Sequence, residues 1–456
     1  LLTRIILLSF LVLSLLLPHG ADAQQAQPRR SFIRDAEVEN TIHTFTTPLF
    51  QAAGLAPDSI RIHLLVDNSL NAFVAGGLNM FIHTGLLIRA ETPGQLIGVL
   101  AHETGHIAGG HLARMQDAAG NASTEALVGM LLGAAVGAAT GRADAGAAIA
   151  MGSQELAVRN FLTYTRSEES SADQAAIKYL DSTQQSAKGL AEFFEILGDQ
   201  ELLVAARQDA YMRTHPLTRD RVAFVHDQVV KSPYTNVAPR PEWVEMQRRM
   251  RGKLFAFIEP PYRTFLRYKD TDTSLEARYA RAIAAYRKPD MASAVPLIDA
   301  LLAERPNDPY FWELKGQMLF ENGRGAEAIA PYKKAVELLP DSALMRIQLA
   351  QVQIEQEDPA LLAEAQKHLS LAAHQEPDNR TAWRLMAIAF GRDGDEGMAA
   401  YAMAEQTLIE GKLSDAAFHA GKAERLLPRT GEIWLRIQDI KERTAQAKEE
   451  VKQRRR

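Results

Sequence analysis

Apolar positions along this chain come first as a run, then in a helical and a strand rhythm, and finally in a long-period repeat. The run is Ile5 to Leu17, which follows Arg4 and is interrupted only by serines. From Asp35 to Gly54, Val38, Ile42, Phe45 and Leu49 keep to one helical face, with breaks in the pattern. Ile60 to Val66 is branched and apolar and reads as a strand. Asn71 to Leu86 reads as two more strands around a Gly76-Gly77 turn, so a small antiparallel sheet is expected. An edge strand of such a sheet can take up an extended peptide by main-chain pairing; it can equally be an ordinary packed hairpin.

The next helix is punctuated at both ends. Thr92 suits its N-cap, Pro93 its first position, Gln95 a capping box, and Gly109-Gly110 its end. Leu96, Val99, Leu100 and Ile107 supply its apolar contacts. Residues 121–152 are apolar and rich in small residues, but Arg142 and Asp144 split them. Each half is short of the ~20 residues a spanning helix needs, which leaves packed short helices, a lid or a peripheral membrane contact. Helical patterns return from Glu155 to Tyr179 and around Phe193, Phe194 and Leu197, and Pro260-Pro261 marks a break.

Beyond about Leu275 the period lengthens to 34 residues. Trp312, Gly316, Leu319, Ala328, Tyr332, Ala335 and Pro340 fall in the order of a tetratricopeptide repeat. Pro306 lies one period before Pro340. Pro377 comes three residues late, which implies an insertion near Glu357 to Leu362. Trp383, Ala387, Phe390 and Ala399 open another unit, and Ala416, Ala423 and Pro428 close a less regular one. About four units are expected, stacked as an α-solenoid with a concave, protein-binding face. The expected fold is therefore mainly α: an α+β domain with its small sheet over residues 24–262, then repeats over 263–456.

Composition narrows the chemistry. The net charge of -5 offers no basic field for nucleic acid. There is no cysteine, so a metal would have to be held by histidine and carboxylate. The run ending at Leu17 is too short to span a bilayer, and Ala21-Asp22-Ala23 places small residues where a signal peptidase reads them. Residues 1–23 are expected to be a cleaved export signal.

The strongest motif is His102-Glu103-Thr104-Gly105-His106. Histidines four apart share a helical face and can converge on one zinc, with Zn–N near ~2.0–2.1 Å. Glu103, turned aside from that face, can act as the base toward a water molecule. A catalytic zinc takes a third protein ligand. Leu112 stands where the metzincin pattern would require a histidine, and His111 falls about 140° around the helix, which suits a supporting role better. A glutamate on the later helix is the remaining candidate: Glu169, with Asp173 four residues on to brace a histidine, or its neighbour Glu168. Arg219 or Arg221 could steady the carboxylates or the substrate.

His-Glu-x-Gly-His with the later Glu169-to-Asp173 element resembles the gluzincin metallopeptidases that include the Ste-type prenyl-protein proteases and HtpX. The export signal and the repeats make the chain most similar to the periplasmic BepA-type branch, over nearly the whole mature sequence. Asn71-Ala72-Phe73 and Thr214-His215-Pro216 match as well. The resemblance implies a zincin-like fold and one zinc ion on His102, His106 and Glu169. It implies Glu103 as general base and Asp173 as an active-site acid. For His215 it implies either a contact to the reaction's oxyanion or a fourth, quieting ligand. It further implies a periplasmic endopeptidase acting on misassembled outer-membrane proteins, with repeats that engage the assembly machinery. The competing reading is a chaperone or assembly adaptor in which proteolysis is secondary. No set of long membrane-spanning helices is present, so prenylated substrates are not implied.

Overall fold

A computed structural model describes residues 31–76, 78–111, 114, 165–198 and 215–454. The expected export signal and the segment 121–152 lie outside the described residues. Among those described, no helix is long and apolar enough to cross a membrane.

The chain opens with β1 (Phe32–Ile33) and α1 (Ala36–Ala52). Asp35 caps α1 by accepting from the Val38 amide at 2.9 Å. Val38, Ile42, Phe45 and Leu49 are wholly buried, as their spacing predicts. There follow β2 (Arg61–Leu65), β3 (Ala72–Ala75) and β4 (Asn79–His83), then α2 (Thr84–Arg89) and α3 (Pro93–Gly109).

The sheet is mixed rather than antiparallel. Its order is β1-β2-β4-β3, with β2 and β4 parallel and the two outer pairings antiparallel. The expected hairpin β3–β4 forms, but β4 returns between β2 and β3. The link between β2 and β3 lies across the start of α2: the Gly85 amide donates to the Asp67 carbonyl at 2.8 Å. A Cβ on Gly85 would stand 2.3 Å from the Asn68 carbonyl oxygen, so only glycine admits the crossing. That crossing carries the chain past the place of β4 before β3 begins, and it leaves β3 at an edge beside α3.

A helix over residues 165–182, α4, packs on α3, followed by α5 (Lys188–Gly198), α6 (Arg219–Lys231) and α7 (Pro241–Ile258). One apolar core joins these helices to the inner face of the sheet. After the short α8 (Pro261–Arg267), ten helices pair as hairpins: α9 (Leu275–Arg287) with α10 (Met291–Glu304), α11 (Pro309–Glu321) with α12 (Gly325–Leu338), α13 (Ala343–Glu355) with α14 (Pro359–Gln375), α15 (Arg380–Arg392) with α16 (Glu396–Ile409), and α17 (Leu413–Leu426) with α18 (Gly431–Arg454). These are five pairs where about four repeats are expected. The inserted residues lengthen α14, which has 17 residues against 14 in α12. Trp312 and Trp383 play one role in two units, their indole N–H donating to the carbonyls of Pro306 and Pro377 at 2.8 and 2.7 Å.

The repeats are locked to the first half by a buried ionic knot. Glu37, in the first turn of α1, accepts from Arg249 at 2.8 Å and from the Tyr279 hydroxyl of the repeats at 2.8 Å, with Lys253 at 3.3 Å. Arg249 also holds Asp308, and Lys253 holds Asp35 at 2.8 Å. Burial alone would raise the Glu37 carboxyl, but the two cations hold it below the ordinary range. Arg34–Glu376 (2.8 Å) and Arg61–Asp378 (2.9 Å) close the outer seam.

Candidate metal centre

The helix that carries the motif ends as its sequence dictates. Thr92 Oγ1 accepts from the Gln95 amide at 3.3 Å, and Gln95 in return accepts from the amide of Glu91, one residue before the cap. Gly110 closes α3 in the left-handed region at φ 64°. Between the histidines, Gly105 faces α4: a Cβ there would lie 2.9 Å from the Ala172 carbonyl oxygen and 3.1 Å from its Cα. The missing side chain lets α4 approach closely enough for Glu169 and Asp173 to reach the histidines.

Nε2 of His102 and Nε2 of His106 are 3.0 Å apart. Glu169 offers Oε2 to His102 and Oε1 to His106, each at 3.4 Å. His215, just before α6, brings Nδ1 to 3.1 Å from Glu169 and Nε2 to 3.5 Å from Glu103. Among the described residues, His102, His106, Glu169 and His215 each offer one ligand atom, all within 4.8 Å of one another.

The groups behind these four set their protonation. Asp173 Oδ1 lies 2.9 Å from Nδ1 of His102, which favours the proton on Nδ1 and leaves the Nε2 lone pair facing the cluster. Nδ1 of His106 meets Nδ1 of His111 at 2.9 Å, and Nε2 of His111 lies 2.8 Å from Glu168. That relay is satisfied when His106 carries its proton on Nδ1, which leaves its Nε2 lone pair facing the cluster too. His111 and Glu168 are thus supporters of the cluster rather than members of it, and Arg114 holds Glu168 in turn at 2.9 Å. Of the two candidate arginines, Arg221 is the one at the site. It is 3% exposed, grips Asp173 at 2.6 and 2.9 Å, and reaches Glu169 at 2.8 Å and the Pro216 carbonyl at 2.8 Å. Its guanidinium lies 5.2 Å from the centre of the Phe194 ring.

Burial opposes ionisation throughout, and charge decides the outcome group by group. Around Glu169 it is overcome by His215, His102 and His106, which hold the carboxyl well below its usual range. For Asp173 it is overcome by Arg221 and His102. His102 is pushed up to about 9 because Asp173 and Glu169 outweigh its burial. His106 falls to about 3, since burial and the neighbouring His102 and His215 outweigh Glu169. Glu103 is raised, chiefly by burial. Both its carboxylate oxygens are buried without a hydrogen-bond partner among the described residues. Nitrogen and oxygen donors turned inward beside a buried carboxylate fit a divalent metal, which would displace the Nε2 proton of His102 as it binds. Sequence reasoning named these residues singly; it did not foresee the His106–His111–Glu168 relay, whose only local signal is the pairing of a histidine five residues on with a glutamate next to Glu169.

Comparison with known proteins gives consistent matches. Residues 34–229 match the model of peptidase family M48. Residues 262–309 match a tetratricopeptide repeat, and residues 290–411 match the cytochrome c-type biogenesis protein H TPR domain. The chain is 24% identical over 396 residues to a beta-barrel assembly-enhancing protease of Yersinia pestis, covering 86% of this chain and 80% of that one. It is 23% identical over 400 residues to the protein of that name from Escherichia coli K12, again covering 86% and 80%.

Proposed function

The chain carries a peptidase family M48 domain over residues 34–229 with tetratricopeptide repeats behind it, which makes it a metallopeptidase, and we propose that it is a zinc endopeptidase of envelope protein quality control. The observation that carries this reading is the convergence of four ligand atoms beside the buried Glu103 carboxylate, which has no hydrogen-bond partner among the described residues. Zinc held by His102, His106 and Glu169 would polarise a peptide carbonyl and acidify a water molecule. Glu103 then takes the proton of the attacking water and returns it to the leaving amine, a task suited by the raised affinity for protons that its burial confers. Asp173, itself held by Arg221, keeps His102 turned toward the metal. His215 lies between Glu169 and Glu103 and offers a fourth ligand atom to the cluster, which favours the quieting role over the oxyanion contact in this conformation.

The polypeptide enters by main-chain pairing with edge strand β3, a mode that tolerates many sequences. The export signal expected at residues 1–23 supports a periplasmic location. The relatives' shared name, beta-barrel assembly-enhancing protease, supports a role in β-barrel assembly, within which the substrates are misassembled outer-membrane proteins and the repeats engage the assembly machinery on the present reading. The repeats also support a second reading, an assembly adaptor in which cleavage is secondary.

One variant separates the two. Glu103→Gln should keep about one zinc per chain while losing cleavage of an unfolded protein such as casein. Envelope assembly that survives unchanged in that variant favours the adaptor. Less than about one zinc per wild-type chain, with none lost in His102→Ala, would overturn the metallopeptidase assignment.

A further inference from the structure

The outer face of the sheet carries a row of rings that its core does not need. The inner face is complete: Leu64, Ala72, Met80 and Ile82 are buried. On the other face, where a solvated sheet ordinarily shows polar side chains, Phe73, Phe81 and His63 stand directly opposite one another on β3, β4 and β2. The Phe73 and Phe81 rings stack at 5.0 Å between centres and 10° between planes, and Phe81 and His63 at 4.7 Å and 20°. Phe32 on β1 continues the row, 6.0 Å from His63 and 60% exposed. Arg61, two residues before His63, pairs with Asp378, so the repeats approach this face at β2, while among the described residues no strand pairs with β3 on its outer side.

The register says how that chain would lie. The His83 amide donates to the Asn71 carbonyl at 3.0 Å, which makes Asn71/His83 and Phe73/Phe81 the hydrogen-bonded pairs. The main-chain groups of Ala72 and Val74 therefore point to the free edge, where no strand pairs among the described residues. A strand added there sets alternate side chains on the outer face, its Cβ opposite Phe73 at about 4.5–5.5 Å.

We propose that Phe73, with the Phe81 and His63 rings stacked behind it, is a specificity surface: among polypeptides that pair with β3, it selects those whose alternate residues are aromatic or β-branched. Such amphipathic alternation is the pattern of strands in transmembrane β-barrels, which deepens the proposed envelope substrate and rests on that reading. Pairing supplies affinity without regard to sequence, and the ring row rewards one face of the bound strand.

The test uses the full zinc-loaded chain and two fluorogenic peptides of identical composition, one alternating aromatic and polar residues and one with them in blocks. The alternating peptide should be cleaved with kcat/KM about tenfold higher. Phe81→Thr and Phe73→Thr should bring that ratio to about one, and Phe81→Tyr should keep it. Should the threonine variants fail to fold, Phe73→Leu, which keeps an apolar side chain and loses the ring, should lower the ratio about twofold. A wild-type ratio near one, or a ratio unmoved in folded variants, overturns the proposal. If the wild type cleaves neither peptide and His215→Ala does not release cleavage, the endopeptidase reading falls instead. Binding of the two peptides to Glu103→Gln then decides the surface, a retained preference sustaining it and equal affinities overturning it. A dimer in sedimentation that Phe73→Thr dissolves would assign the face to a second copy and overturn it as well.

Discussion

Replacing Arg221 by methionine keeps most of the side chain's bulk against Phe194 and removes one charge from beneath two carboxylates. The guanidinium lies 2.6 Å from Asp173 and 2.8 Å from Glu169, both of them buried. At an effective dielectric near 20, a pair of unit charges at such a distance attracts by about 6 kcal/mol. Part of that returns when Arg221 no longer has to be buried, and His102 still faces Asp173 at 2.9 Å, so the net loss expected is about 3 kcal/mol. Metal affinity is the poorer readout, because the same change removes a cation from beside a metal. The local opening free energy of α4 in the metal-free chain, read by hydrogen exchange over residues 165–182, isolates the effect. It also has a pH signature. Carboxyls depressed in the folded state stabilise it above their unfolded pKa, and that stability is lost as pH falls through the folded value. Arg221→Met removes a group that holds the Asp173 carboxyl down and so raises its folded value, and loss of protection on acidification should begin at higher pH. Adding Asp173→Asn to Arg221→Met should recover part of the loss, since it removes the orphaned charge. A single variant whose α4 opens within about 0.5 kcal/mol of wild type, with an unmoved acid limb, would refute the reasoning.

Gly105→Ala should push α4 from α3, at a cost of about 1–3 kcal/mol, because its Cβ would meet the Ala172 carbonyl at 2.9 Å. Zinc affinity, measured by chelator competition, should fall about tenfold as Glu169 retreats. Glu313, buried in α11, has one carboxylate oxygen without a hydrogen-bond partner among the described residues, and burial pushes its carboxyl up to about 7 despite Lys253. With the folded value above the ordinary 4.5, the penalty is absent below pH 4.5 and complete above about 7. Glu313→Gln should therefore stabilise the repeats by up to about 3 kcal/mol in denaturant unfolding at pH 8 and change little at pH 4.5.

The sequence made the metal site legible because helical periodicity does the geometric work. His102 and His106 share a face, Glu169 and Asp173 share another, and Gly105 lets the two meet. The repeats were legible for a similar reason, since Trp312 and Gly316 mark local packing within one hairpin. What stayed hidden depends on partners far along the chain. The parallel pairing of β2 with β4 is decided by where the link after β2 lies on α2, which no strand pattern reports. Arg221 and Arg219 look alike on paper; only the docking of α6 separates them. Glu37 reads as an ordinary acidic residue of a helix's first turn, and its cations come from α7.

The knot around Glu37 has a mechanical meaning. Drawing the repeats away from the first half would part buried Arg249 from Asp308 and strip Tyr279 of its acceptor on Glu37. The solenoid is accordingly a handle rather than a tether. Whatever grips it also holds the blade, and cargo it carries meets the cutting edge at a bearing set by the joint instead of by the sweep of a loose arm.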